Sequence, residues 1–327
     1  MPTRRVQLTG KETFTVSLPK GWAVKNKLSP GSEVRIEEEN DGTLRVSLTS
    51  SAKRREEALV RLDGVSSPEA LQRLVIAKYL NGFDVIRVVS QGRMPPAFRQ
   101  AAEMQAGMLT GLEVVEVKED EVTLQDFLAK ESVSIPRMLR RAYAIASSMH
   151  GESVESLLSG DAQLAAKVSK SEDDVDRVRY LITRQLNFAL NSPSLMGALG
   201  LSATACLDFH IVAENVEEIG DSALEIASFA RKGSRASKKA AGFARQVTSE
   251  VFSLHSDAVK AFYAANFSLA DSVVSRQSKL GRRTHERENE LISQAERPPW
   301  LTTFTSESLK IAGHAAEIAK IVIDKGT

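Results

Sequence analysis

The chain has 327 residues, 26% charged and 42% hydrophobic, with a formal net charge of +1; this is ordinary globular composition, long enough for two or three cores, and it excludes a chain-wide attraction to nucleic acid or membrane. The single cysteine, Cys206, excludes an internal disulfide and a thiolate zinc site and fits a reducing cytoplasm. With no apolar leader and no apolar run approaching the roughly 18 residues that span a membrane, a cytoplasmic protein is expected.

From Arg4 to Thr49 the pattern is short strands with turn chemistry. Val6 to Thr9 and Thr13 to Leu18 are β-rich runs joined by Gly10-Lys11-Glu12, and Arg35 to Glu38 and Thr43 to Leu48 flank the hairpin signal Asn40-Asp41-Gly42. Between the pairs, Pro19 to Lys27 reads as a short helix with proline at its start, followed by a Ser29-Pro30-Gly31-Ser32 turn. Arg4, Arg5, Lys11, Lys20, Lys25 and Lys27 face Glu12 alone in residues 1–27. So small a module has a marginal core by itself, which points to dimerisation.

Arg5-Val6-Gln7, the run from Thr13 through Ser17-Leu18-Pro19-Lys20, and Leu28-Ser29-Pro30-Gly31-Ser32-Glu33-Val34 make residues 1–50 resemble the SpoVT-AbrB family of swapped-hairpin DNA-binding domains. That resemblance implies a dimeric β-barrel made of two interleaved chains, with Arg4, Arg5, Lys11 and Lys20 as the DNA-contacting positions. On composition alone the same residues read equally well as a solvated basic edge that discourages strand aggregation. The antitoxins, a related class with the same fold, bind a toxin through a C-terminal tail, and the long globular region that follows here argues against that class.

Residues 51–57, with Ser51-Ala52-Lys53-Arg54-Arg55, read as a linker. Over residues 58–123, strands at Ala58 to Leu62, Val85 to Val89 and Leu112 to Val117 alternate with helices at Pro68 to Leu80 and Pro96 to Met108, a small α/β segment. Gly107 and Gly111 lack the context of a phosphate-binding fingerprint. The segment reads as a spacer or a dimer interface.

From Leu124 onward the pattern is helical, with long helices expected at 134–158, 161–190, 203–231, 234–264, 267–296 and 302–325 and breaks at Gly160, Pro193 to Gly200, Gly233 and Pro298-Pro299. Ile219, Ala223 and Ile226 are echoed by Ile311, Ala315 and Ile318, which suggests a duplication into two three-helix bundles, 124–233 and 234–327. Opposite the apolar stripe of the third helix stand Glu214, Glu217, Glu218, Asp221 and Glu225, a carboxylate ladder with no basic residue interleaved. The preceding helix carries Glu172 and Asp176 at the same one-turn spacing as Glu217 and Asp221. Antiparallel packing of the two helices would converge four carboxylates, an all-oxygen set suited to magnesium, manganese or iron. The competing reading is a plain solvent face.

Glu172 to Asp176 and Glu217-Glu218-Ile219-Gly220-Asp221-Ser222-Ala223-Leu224-Glu225-Ile226-Ala227 resemble the PhoU family, whose paired three-helix bundles carry E/D-x-x-x-D motifs that bind metal clusters. By that resemblance Glu172, Asp176, Glu217 and Asp221 are the ligands of a divalent or iron-type metal ion. The second half departs from the pattern, with Gln277, Gly281, Leu309 and Gly313 at the corresponding positions, so one cluster at most is expected. His210, His255 and His314 read as packed side chains, His150 and His285 as surface ones, and Cys206 as a small core residue. With no nucleophile motif and no Glu-x-x-His pair, catalysis is not expected. The two resemblances together imply a phosphate-responsive transcription regulator, a DNA-binding head on a sensing body, acting as a homodimer or higher homo-oligomer. The alternative they leave is an accessory protein that contacts phosphate-transporter or signalling-kinase components and uses its head only to dimerise.

Overall fold

The computed structural model describes residues 3–38, 42–48, 56–129, 133–232, 237–293 and 298–326. The chain divides into two compact units, Met1–Arg55 and Glu56–Thr327. Residues 51–55 of the expected linker, Asn40 and Asp41 of the hairpin signal, Gly233, and the expected helix ends at 234–236 and 294–296 lie outside the described residues.

In the first unit, β1 (Gln7–Thr9) pairs antiparallel with β2 (Thr13–Thr15), Leu8 opposite Phe14. Gly10 at φ 71° turns the chain between them, a conformation that glycine adopts without strain. The helix α1 (Lys20–Lys25) follows Pro19, and β3 (Val34–Glu38) pairs antiparallel with β4 (Leu44–Leu48). No residue of β1, β2 or α1 is buried, and Phe14, Val24 and Leu44 are 74%, 67% and 67% exposed. These apolar side chains have no core of their own to enter.

The second unit begins with an α/β layer: β5 (Glu57–Arg61), α2 (Pro68–Leu80), β6 (Val85–Val89), α3 (Pro96–Met108), β7 (Leu112–Val117) and β8 (Glu121–Asp126). The sheet order is β5-β6-β8-β7, parallel at β5-β6 and antiparallel elsewhere. Ser67 caps α2 by accepting from the Ala70 N–H, with Pro68 in the first turn where its missing N–H costs nothing. Leu71, Val75 and Tyr79 of α2 and Ala102 and Ala106 of α3 bury against Val60, Ile86, Val88, Val122 and Leu124 of the sheet.

The strand β8 corrects the expectation that helix begins near Leu124. Val122 and Leu124 alternate with Thr123 and Gln125, and the first pair is wholly buried. This strand inserts between β6 and β7, a pairing set by distant residues that local periodicity does not register.

The helical body comprises α4 (Ile135–Ser159), α5 (Ala162–Asn191), a short α6 (Pro193–Ala198), α7 (Ala203–Ser228), α8 (Lys238–Ala264), α9 (Phe267–Ser293) and α10 (Leu301–Asp324). Gly160, left-handed at φ 73°, ends α4, and Asp161 caps α5 by accepting from Gln163 and Leu164. Helices α4, α5 and α7 pack on one another, as do α8, α9 and α10, and the halves meet through α7 against α10 and α4 against α8. One continuous core runs through both halves, from Ile135 to Val322.

His150 is not a surface residue. Its sequence neighbours are polar, but α4 turns it onto the face of Ala142, Ala146, Met149 and Leu157, where it is wholly buried. Its Nδ1 lies 3.2 Å from His255 Nε2 on α8, and His255 Nδ1 lies 3.0 Å from the Tyr143 hydroxyl. Burial lowers His150 to about 4, and burial and then the His150 charge lower His255 to about 3, so neutral rings join the two halves at neutral pH.

The α/β layer is fastened to α5 by Arg184, whose side chain is completely buried. Its guanidinium donates to the Tyr79 carbonyl, to the Phe83 carbonyl at 3.0 Å and to Asp126 Oδ2 at 2.6 Å, and it lies over the Tyr79 ring at 4.4 Å. One turn on, Asn187 donates to the Leu80 carbonyl. Gly82, at φ 90°, passes so close to Phe188 that a Cβ there would sit 2.7 Å from the ring. Breaking a buried ion pair from one side leaves a charge stranded without solvent. Arg184→Met is therefore expected to destabilise the fold by about 3–5 kcal/mol in thermal unfolding, and a second change, Asp126→Leu, to recover most of that loss. An unchanged melting temperature for the single variant would refute this account of the junction.

Candidate functional site

Helices α5 and α7 pack side by side in opposite directions, so that as residue numbers rise along α5 their partners on α7 fall. Arg179 meets Glu214, Asp176 meets Glu217, and Glu172 feels the charge of Asp221. The four carboxylates singled out in the sequence are therefore brought together, on the edge of the first bundle whose interior is filled by Val175, Val178, Ile182, Val216 and Ile219.

The electrostatics record the crowding. Burial, then the charges of Asp176, Asp221 and Asp173, push Glu172 up to about 7. Glu217 is raised by burial, which outweighs the pull of Arg179, and further by Asp221 and by a hydrogen bond with Asp176. Asp221 is raised by burial, then by Asp176 and Glu218. Like-charged groups held in a half-buried row favour the protonated form.

The ladder is not bare. Arg179, one turn beyond Asp176 on α5, places Nη1 3.1 Å from Glu214 Oε1, Nε 3.3 Å from Glu217 Oε1 and Nη2 3.7 Å from Asp176 Oδ1. Its side chain and that of Glu217 are each 15% exposed. Sequence reasoning missed this residue, although its spacing of three from Asp176 and seven from Glu172 puts all three on one helical face.

The donor set fits a hard cation. Every donor is a carboxylate oxygen, and Asp176 Oδ1 is buried without a hydrogen bond. Among the described residues, however, no three Asp, Glu, His or Cys side chains form a ready-made cage, and Arg179 stands among Asp176, Glu214 and Glu217. A metal ion there would be held by Glu172, Asp176, Glu217 and Asp221. In the second half Gln277 and Gly281 lie on α9 and Leu309 and Gly313 on α10, so that half offers no carboxylate at the corresponding positions. A cavity of ≈ 610 Å³ between α4 and α8, lined by Val154, Leu158, Arg245 and Phe252 among others, includes none of the four carboxylates.

In the head, Arg4 and Arg5 stand just before β1, Lys11 in the β1–β2 turn and Lys20 at the start of α1, all exposed. One copy of the chain thus spreads these cations over three segments of the head. Tyr143, His255 and His150 form a further polar chain of the body, and His314 on α10 is held 3.0 Å from Asn215 of α7.

The carboxylates carry a pH signature. A carboxylic acid whose folded value is raised binds its proton more tightly in the folded state, so its contribution is present below about 4.5 and lost as pH climbs through about 7, the value for Glu172. Glu172→Gln should therefore raise the melting temperature of metal-free protein at pH 8 by roughly 2–4 °C, about 1 kcal/mol after solvent screening, with the gain vanishing near pH 4.5. A gain equal at both pH values would refute the assignment.

Residues 139–230 match the PhoU domain family. Residues 7–56 match the MazE family, described as antidote-toxin recognition by a bacterial antitoxin, which is the class of this fold that the sequence reading set aside. No curated protein matches the chain. The crystal structure of PhoU from Pseudomonas aeruginosa superposes with a TM-score of 0.52 over 60% of this chain and 98% of that one, at 18% identity, a likeness of fold. Residues 139–230 of the helical body are thus similar to the PhoU domain and residues 7–56 to the MazE antitoxin family, and the body shares its fold with a PhoU structure.

Proposed function

We propose that the chain is a phosphate-responsive transcription regulator, a non-enzymatic, cytoplasmic homodimer whose heads bind DNA and whose PhoU-like bodies report phosphate status. The observation that carries the reading is the head, where Leu8, Phe14, Val24 and Leu44 are exposed beside Arg4, Arg5, Lys11 and Lys20. A second copy supplies the missing core, and the cations then serve phosphate contacts on DNA. In the body, Glu172, Asp176, Glu217 and Asp221 would hold a metal ion, which would add positive charge to that of Arg179. Phosphate, metal or a partner favours one arrangement of the body, and that preference is passed to the heads as a shift in populations.

The MazE match favours a second reading, because that family is described by recognition of a protein. In it the head dimerises or binds protein, and the body acts by contact with phosphate-transport or signalling-kinase components. No helix of the described residues is long and apolar enough to cross a membrane.

The deciding experiment is binding of the purified protein to DNA upstream of its own gene and of neighbouring phosphate-transport genes, across a salt series. Under the first reading affinity falls steeply as salt rises. Arg5→Ala/Lys11→Ala weakens it and reduces the salt slope by about one for each DNA phosphate that the variant no longer neutralises. Absence of binding, with and without added phosphate and metal, would sink the first reading and leave the second.

A further inference from the structure

The carboxylate row has a filled end and an open end. At the filled end Arg179 spans Glu214, Glu217 and Asp176, with its Nε buried and lacking a well-formed hydrogen bond although Glu217 stands 3.3 Å away. At the open end the charges of Asp176, Asp221 and Asp173 crowd Glu172, and Arg179 acts on Asp221 only as the smallest of its influences. Two of the four oxygen donors that a metal ion would use, Asp176 and Glu217, are thus the ones engaged by Arg179. The guanidinium also lies 4.5 Å over the ring of Tyr180, a residue packed against the core of the α/β layer.

From this geometry we infer that Arg179 is an internal cation that holds the carboxylates in the metal-free protein and must release Glu217 and Asp176 when a metal ion binds, an inference that rests on the metal-centre reading above. Two positive charges cannot share the same carboxylate oxygens in a half-buried site without strong repulsion. The planar fork of arginine suits the first state, since it reaches acids on both helices at once. Release would occur beside Tyr180, where α5 meets the α/β layer, so occupancy of the centre and packing of that junction would be linked.

The test separates competition from simple repulsion. Arg179→Lys keeps the charge and loses the fork, whereas Arg179→Gln loses both. Titration of the full-length protein with Mn²⁺ by calorimetry should show tighter binding in both variants, by about tenfold or more in Arg179→Gln, the order by which one neighbouring charge alters a carboxylate's affinity for a cation, and by a smaller but clear factor in Arg179→Lys, which loses only the fork. In wild type labelled with [¹⁵N]arginine, the Nε–H signal that is absent from Arg179→Lys should move to the solvent-exposed position when Mg²⁺ is added. Equal Mn²⁺ affinity in wild type and Arg179→Lys, or an Nε–H signal unmoved at saturating Mg²⁺, overturns the inference and leaves the metal centre standing. No Mn²⁺ binding in wild type or either variant overturns the metal-centre reading and the inference with it. Should Arg179→Gln fail to fold, Arg179→Lys and the wild-type signal decide the question.

Discussion

A full positive charge with no access to solvent sits where α5 meets the α/β layer. Arg184 is tolerated there because Asp126 and two backbone carbonyls, from Tyr79 and Phe83, surround its guanidinium, and those partners come from three different places in the α/β layer. The arrangement makes the layer and α5 a single mechanical piece. If α5 shifted by a turn, a buried carboxylate and a buried guanidinium would both be stranded, so the register of α5 against the layer is set by charge as well as by shape. Gly82 against Phe188 enforces the same register sterically.

The position of α5 determines what the rest of the body can do. One side of the helix holds the layer through Arg184 and Asn187, while another aligns Glu172, Asp176 and Arg179 with Asp221, Glu217 and Glu214 of α7. Arg179 and Arg184 are close along one helix but do opposite work. Arg184 is matched by its surroundings and locks a junction, whereas Arg179 faces more negative charge than it can neutralise. That excess is what the proposed cation site rests on. The second bundle repeats the apolar stripe, Ile311, Ala315 and Ile318 against Ile219, Ala223 and Ile226, all six buried. It retains none of the four carboxylates, so the two halves share packing and differ in charge.

The head poses the reverse problem. Its apolar residues outnumber the buried positions one copy of so small a module can provide, and they remain at the surface. A second chain is the natural solution, and it would set the spacing of the basic residues, because that spacing belongs to the pair of heads. In the proposed dimer the spacing of the basic residues is a property of an assembly, whereas the charge on the body is a property of one chain.

Much of this was legible in one dimension. Periodicity places the long helices because their stripes repeat every three to four residues whatever they pack against, and the turn chemistry at Gly10 and Gly160 is local for the same reason. The pairs Glu172/Asp176 and Glu217/Asp221 could be read from helical spacing alone. What the sequence left open depended on partners far along the chain. The strand β8 is fixed by pairing with both β6 and β7, His150 is buried because α8 covers that face of α4, and the acids of α7 acquire a counter-ion because α5 lies antiparallel to them. The sequence by itself determined which residues carry charge and with what period. Only the tertiary structure decided which charges meet, because Coulomb interaction depends on distance and burial, and both are set by packing between segments remote in sequence.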